Sequence, residues 1–236
     1  MLLEVKNLSA GYKGMRVIEG ISLGINKDEM VAIVGPNGSG KTTLLRALVG
    51  IIEEYGGRIY TGDIIFAGEK INCKHPYELL RLGLAFVPDG GKVFPSMTVL
   101  ENLEMGGFIL QDRGELRLRI AEVLELFPLL KALLKKKAGS LSGGERQLLS
   151  LGKALITHPS VLILDEPTAG LSPNYARIIF EKLRELKQEA GVMVVEQNAK
   201  MVLKYCDRGY VIRYGKIALE EDGSNLLMKE DVFKLL

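Results

Sequence analysis

The chain is poor in the residues that build metal centres and disulfide frameworks. Its 236 residues include two cysteines and two histidines. Cys73 and Cys206 stand far apart, with no metal-ligand spacing around either. That pattern points to a reducing compartment and no disulfide. No apolar run approaches the length of a membrane span. The opening Met-Leu-Leu-Glu-Val-Lys lacks the pattern of a secretion signal, so a cytoplasmic location is expected. The net charge is only +2, and the one basic block is Lys135-Lys136-Lys137. It reads as a solvated helix end, and no nucleic-acid partner is expected. There is no internal repeat and no low-complexity tract. What remains is 47% hydrophobic, enough to bury the core of one domain with a subdomain.

Periodicity divides the chain. Residues 2–9, 16–25 and 58–66 read as strands, and so do the short apolar runs 30–34 and 84–87. Residues 98–136 change character and become helical, rich in Leu, Glu, Arg and Lys. A helix follows Gly143-Gly144 to about Thr157. Strands are then expected at 161–164 and 192–195, helices at 174–190 and 198–205, paired strands at 208–213 and 216–220, and a short helical tail. Alternating strands and helices predict an α/β fold with a largely parallel sheet and helices on both faces. The interruption predicts an inserted helical subdomain at about 90–156, flanked by core segments at about 1–89 and 157–236.

One stretch carries phosphate chemistry. Gly35-Pro36-Asn37-Gly38-Ser39-Gly40-Lys41-Thr42 matches the P-loop spacing. With glycine usage at about 7%, a chance match in such a chain has odds of about one per cent. It also sits between the apolar run 30–34 and a helical run closed by Gly50, the strand–loop–helix order that the motif needs. The alternative is a glycine turn with no ligand. Glycines let the backbone wrap close to phosphate, and the helix start adds its positive end. Lys41 is expected on the β- and γ-phosphates, Thr42 on Mg²⁺, with Thr43 beside them. Asp165 ends the apolar strand and is expected to hold the metal; Glu166, next to it, polarises the attacking water. The alternative for that pair is a solvated acidic strand end.

Leu141-Ser142-Gly143-Gly144-Glu145 lies between the P-loop and the acidic pair. With it, nearly the whole chain resembles the ATP-binding subunits of ABC (ATP-binding cassette) machines. The resemblance implies a P-loop NTPase (RecA-like) core, an antiparallel β subdomain and an inserted α-helical signature subdomain. It implies ATP and Mg²⁺ as cofactors and ATP hydrolysis as the reaction. Ser142 is the expected N-cap, with Gly143, Gly144 and Glu145 opening a second phosphate-binding helix end. In the family, that signature closes on the ATP held by a second subunit. The bland alternative is a capped helix start, which leaves the rest of the string unexplained. Tyr12 occupies the family's adenine-stacking position and Val17 the ring's other edge; a half-buried strand-end tyrosine is the plain alternative.

Three positions depart from the family pattern. Asp89, in Val87-Pro88-Asp89, replaces the glutamine that senses the γ-phosphate and Mg²⁺. Ser172 replaces an Asp. Gln197, in Val195-Glu196-Gln197-Asn198, replaces the switch histidine, and His75 and His158 both precede Asp165. With the stretch from Phe94 to Leu103 and Asp207 to Val211, these resemble the second ATPase subunit of branched-chain amino acid importers. The expected partners are a second, different ABC ATPase subunit, or a second copy on ATP binding, and membrane permeases. The protein would then sit peripherally on the inner face of the cell membrane. Related importers for urea and short amides, a slow ATP-binding regulatory module, and a soluble DNA-repair or translation ATPase are the alternatives. The last is disfavoured, since the chain shows neither the long coiled-coil or zinc-cluster insertion nor the domain duplication of those ATPases. Phe94, Pro95 and Met97 are expected either to pack internally or to line a groove for a permease helix.

Overall fold

A computed structural model describes residues 1–72 and 74–229; Cys73 and residues 230–236 lie outside the described residues. In chain order, β1 (Leu3–Tyr12), β2 (Met15–Ile25) and β3 (Met30–Val34) lead into α1 (Lys41–Leu48). Strands β4 (Gly57–Phe66) and β5 (Glu69–Lys70), helix α2 (Pro76–Leu82) and β6 (Leu84–Val87) follow. Four helices come next: α3 (Val99–Gly106), α4 (Arg113–Leu126), α5 (Pro128–Lys131) and α6 (Gly143–Leu155). Then β7 (Val161–Asp165), α7 (Pro173–Leu186), β8 (Gly191–Glu196) and α8 (Ala199–Val202) restore the alternation. The hairpin β9 (Arg208–Arg213) and β10 (Lys216–Asp222) and helix α9 (Gly223–Met228) close the described chain.

The strands form two sheets. Four make an antiparallel sheet in the order β2-β1-β4-β5, and six make the central sheet in the order β10-β9-β3-β8-β7-β6. In the central sheet only β10 runs antiparallel to its neighbour. Strands β3 and β8 are buried at every residue, as parallel strands covered on both faces must be. Alternate residues serve different cores. Met30, Ala32 and Val34 join Leu162, Leu164, Val192 and Val194 in a core shared with α6 and α7. Val31, Ile33, Val161, Ile163, Met193 and Val195 face the other way, onto α1 and the antiparallel sheet.

The α/β expectation holds, with local corrections. The helical block from 98 onward is three helices rather than one run. Gly107 stands just past α3, and Pro128 keeps Phe127 extended (φ −122°, ψ 73°), which ends α4. Helix α7 stops at Leu186, short of 190, and α8 spans four residues where eight were expected. Helix α2 was not foreseen; Pro76 starts it, and His75 with Glu78 forms a capping box. Strand β1 runs three residues further than expected, so Tyr12 is its last residue. Lys135, Lys136 and Lys137 are exposed, as expected, but they lie in the turn after α5, which stops at Lys131, rather than at a helix end, and Lys137 bridges to Thr98.

Candidate functional site

Parallel pairing puts the carboxyl ends of β3, β8, β7 and β6 side by side. Val34 pairs with Glu196, Asp165 with Val195, and Val87 with Leu164. The loops leaving these strands therefore meet at one sheet edge: the P-loop after β3, Gln197 after β8, Glu166 after β7, Pro88-Asp89 after β6. Ligand sites of open α/β sheets lie at this edge.

The P-loop is held in a shape that favours glycine. Gly38 and Gly40 have φ of 77° and 106°, and a Cβ on Gly40 would lie 2.6 Å from the Ile18 side chain and 3.4 Å from the Val17 carbonyl. Val17 thus backs the loop. The Gly215 amide donates to the Ser39 carbonyl, tying the loop to the β9–β10 turn. Lys41 is only 6% exposed. Its ammonium donates to the carbonyls of Gly35 (2.6 Å) and Pro36 (3.1 Å). Burial lowers its pKa, against the raising pull of Glu166, Asp165 and Glu196. The Ser39 hydroxyl is buried with no partner. An inward ammonium, an orphaned hydroxyl and amides at the start of α1 fit a polyphosphate.

Beside the loop, Thr42, Asp89, Asp165 and Glu166 line one cleft of about 260 Å³ with Arg46 and Tyr55. Burial, then Glu166, then Asp89 push the Asp165 carboxyl up to about 6, against the pull of Lys41 and Arg46. Such crowding of carboxylates beside a hydroxyl is an all-oxygen donor set, which suits a hard divalent cation. Among the described residues no group of three or more His, Cys, Asp or Glu forms a metal cage by itself.

A second cleft joins the expected base to the switch position: Glu166, Thr168, Glu196, Gln197 and Asn198 all line it. Glu166 has φ of 42°, a left-handed conformation uncommon outside glycine, and its amide donates to the Val195 carbonyl at 2.8 Å. Glu196, 3% exposed, is a residue that sequence reasoning passed over. Its Oε1 accepts from both the amide (3.0 Å) and the hydroxyl (2.6 Å) of Thr168. Burial raises its pKa. The available signal was a carboxylate closing the apolar run 192–195.

Tyr12 is half-buried, with its ring against Gly57 and its hydroxyl accepting from Arg46 at 3.1 Å. Arg46 in turn stacks over Tyr55 at 3.7 Å. Sequence reasoning missed both. Ser142 caps α6 in a capping box: its hydroxyl accepts from the Glu145 amide (3.3 Å), and the Glu145 carboxylate accepts from the Ser142 amide (2.7 Å). Hydrogen bonding from Ser142 lowers the Glu145 pKa. Ser142 and Gly143 are exposed, whereas Gly144 is buried under the Tyr175 ring, where a Cβ would come within 2.5 Å. The signature lines neither cleft. Ser172 stands at the N-cap of α7 with no side-chain capping bond.

Comparison with known proteins agrees with this geometry. The family model described as ABC transporter matches residues 18–169. The chain is 38% identical to the "Probable branched-chain amino acid transport ATP-binding protein LivF" of Archaeoglobus fulgidus, covering 99% of this chain and 98% of that one. It is 38% identical to the "High-affinity branched-chain amino acid transport ATP-binding protein BraG" of Pseudomonas aeruginosa, with 98% and 97% covered. It is 34% identical to the "Lipopolysaccharide export system ATP-binding protein LptB" of Escherichia coli K12, with 98% and 94% covered. Among solved structures, the ADP conformation of MJ1267, an ATP-binding cassette of an ABC transporter, superposes with a TM-score of 0.87 at 30% identity, covering 99% of this chain and 97% of that one. The dimeric structure of MJ0796, a bacterial ABC transporter cassette, gives 0.80 at 25% identity, covering 93% and 98%. The chain belongs to the ABC transporter ATP-binding family and is an ATPase subunit of a transporter.

Proposed function

We propose that the chain drives uptake of branched-chain or related amino acids, working as one half of an ATP-closed dimer. The observation that carries the dimer is the separation of two phosphate-binding devices. The P-loop, Asp165, Glu166 and Gln197 share one sheet edge, while the exposed start of α6 lines neither cleft. On this reading one ATP is held by the P-loop of one chain and met by the signature of another. Two chains set head to tail bring Ser142, Gly143, Gly144 and Glu145 of each to the ATP of the other. The dimeric structure of MJ0796 supports a dimer as the working form.

In each site Lys41 and the loop amides of residues 35–42 hold the phosphates, with Thr43 packed beneath. Tyr12 and Val17 flank the adenine. Thr42, Asp165 and Asp89 hold Mg²⁺, which neutralises phosphate charge when bound. Glu166 orients and deprotonates the lytic water. Gln197 donates a hydrogen bond to the γ-phosphate, but a neutral amide cannot carry a proton as histidine does. The working form is therefore a heterodimer with an ATPase that carries histidine there, and the partner's site turns over faster. Residues from about 90 to 156 form the signature subdomain, inserted into a core that comprises, among the described residues, about 1–89 and 157–229. Phe94 is 42% exposed, Pro95 is exposed and Met97 half-buried. With the exposed Leu100, Met105 and Phe108 they suit a groove for a permease helix. No helix of the described residues is long and apolar enough to cross a membrane, so this contact holds the protein at the inner face.

The names of LivF and BraG support amino acids as the solute. Transport assays in proteoliposomes test it, using the chain with a candidate second ATPase, permeases and binding protein. ATP-dependent leucine uptake that stops in the Glu166→Gln variant supports the reading. Uptake of urea or amides alone, or ATP-driven export, redirects it. A second reading rests on Gln197 and Ser172: a slow ATP-binding regulatory module. Turnover that stays negligible with every partner present favours that one.

A further inference from the structure

We infer that Glu196 is a positioning residue for hydrolysis: its buried carboxylate ties the switch strand to the loop behind Glu166 and holds that base in its left-handed conformation. The inference rests on the reading of Glu166 as the base. Three consecutive residues after β7 are involved. The Glu166 amide donates to the Val195 carbonyl at 2.8 Å. Pro167 has no amide hydrogen to contribute. The Thr168 amide and hydroxyl then both donate to Oε1 of Glu196, at 3.0 and 2.6 Å. The loop is thus stitched to the end of β8 on both sides of Pro167, by consecutive residues of one strand. Between the stitches the chain makes the turn that gives Glu166 its φ of 42°. A non-glycine residue keeps such a conformation only where its surroundings hold it.

The carboxylate is also costly where it stands. It is 3% exposed, and it faces Glu166, a second acid, with the Lys41 ammonium within electrostatic reach. An apolar residue would complete the run 192–195 at no such cost, so packing does not explain it. Two of its hydrogen bonds go to the one segment whose conformation sets the base, and the Asn198 amide, just past the switch position, also donates to it. The next residue, Gln197, lines the same cleft as Glu166, so Glu196 joins the switch position to the base through a single side chain.

The test compares Glu196→Ala, Glu196→Gln and Thr168→Val in steady-state ATP hydrolysis, each alone and combined with Glu166→Gln, with melting temperature recorded. Glu196→Ala is expected to lower kcat about ten- to a hundredfold, with KM for ATP within about twofold. Glu196→Gln retains the Oε1 acceptor and should recover most of the rate. In the Glu166→Gln background, Glu196→Ala should cost less than about twofold more, because the two act through one step. A full additive loss in that background overturns the proposal, as does an unchanged kcat, or a parallel loss of kcat, KM and melting temperature in all variants. If Glu196→Ala fails to fold, Thr168→Val decides: a severalfold loss of kcat at unchanged KM supports the strut, and wild-type turnover refutes it. Wild-type turnover in Glu166→Gln alone would instead remove the base assignment, whatever Glu196 does.

Discussion

Asp165 offers the sharpest quantitative test, because the site that needs it also strains it. Its carboxyl is pushed from 3.8 to about 6 by burial and by the charges of Glu166 and Asp89. Between those two values the native protein binds more protons than the unfolded chain. Stability therefore falls as pH rises through the window, and the deficit is complete above about pH 6. The full shift corresponds to at most about 3 kcal/mol. Asp165 is partly solvated at the cleft wall, so screening reduces the figure to about 1–2 kcal/mol. Asp165→Asn removes the charge while keeping shape. At pH 8, without nucleotide or Mg²⁺, the variant should melt roughly 2–8 °C above wild type. At pH 5 the gap should shrink to about half. The gain is bought with function: Mg²⁺ added with ATP should raise the melting temperature of wild type more than that of the variant. Thermal melts at two pH values, with and without MgATP, read all of this. A variant no more stable than wild type at pH 8, or one whose gain is the same at both pH values, would refute the electrostatic account.

Three further outcomes are expected. Glu166→Gln should bind ATP normally and lose on the order of a hundredfold or more in turnover, leaving an ATP-bound dimer that persists on size-exclusion chromatography; turnover near wild type would remove the role. Gly144→Ala would press a methyl into the Tyr175 ring, so it should cost about 1–3 kcal/mol in urea denaturation and weaken ATP-dependent dimerisation; an unshifted midpoint means that the ring swings away freely. Arg208→Ala should cost about 2–3 kcal/mol, since its guanidinium bonds Glu29 (2.8 Å), Glu220 (2.6 Å) and the Gly24 carbonyl (2.9 Å), and ATP affinity in the folded fraction should be unchanged by fluorescence titration.

Legibility in the sequence came from locality. The P-loop, the signature and the acidic pair are contiguous strings whose chemistry needs their spacing, and the structure sets the first and third on one sheet edge. The parallel strands were visible as short apolar runs, because burial on both faces leaves no polar positions. Helix α2 was missed because seven residues give too few turns for a period to show, although Pro76 and Glu78 marked its start. The Glu196–Thr168 link spans 28 residues, and only the pairing of β7 with β8 makes them neighbours. The Arg46–Tyr12 contact likewise depends on how the antiparallel sheet packs over α1.

The three departures from the family pattern, Asp89, Ser172 and Gln197, are all exposed and stand in the loops just beyond β6, β7 and β8. None contributes to either core. The strands whose alternate faces fill both cores stop one or two residues before Asp89 and Gln197. Under the proposed roles, exchanges at these positions alter the rate of the cycle at little cost to folding, usually within about half a kcal/mol. Under those roles, this separation would give a lineage a dial for ATP turnover that moves independently of its scaffold.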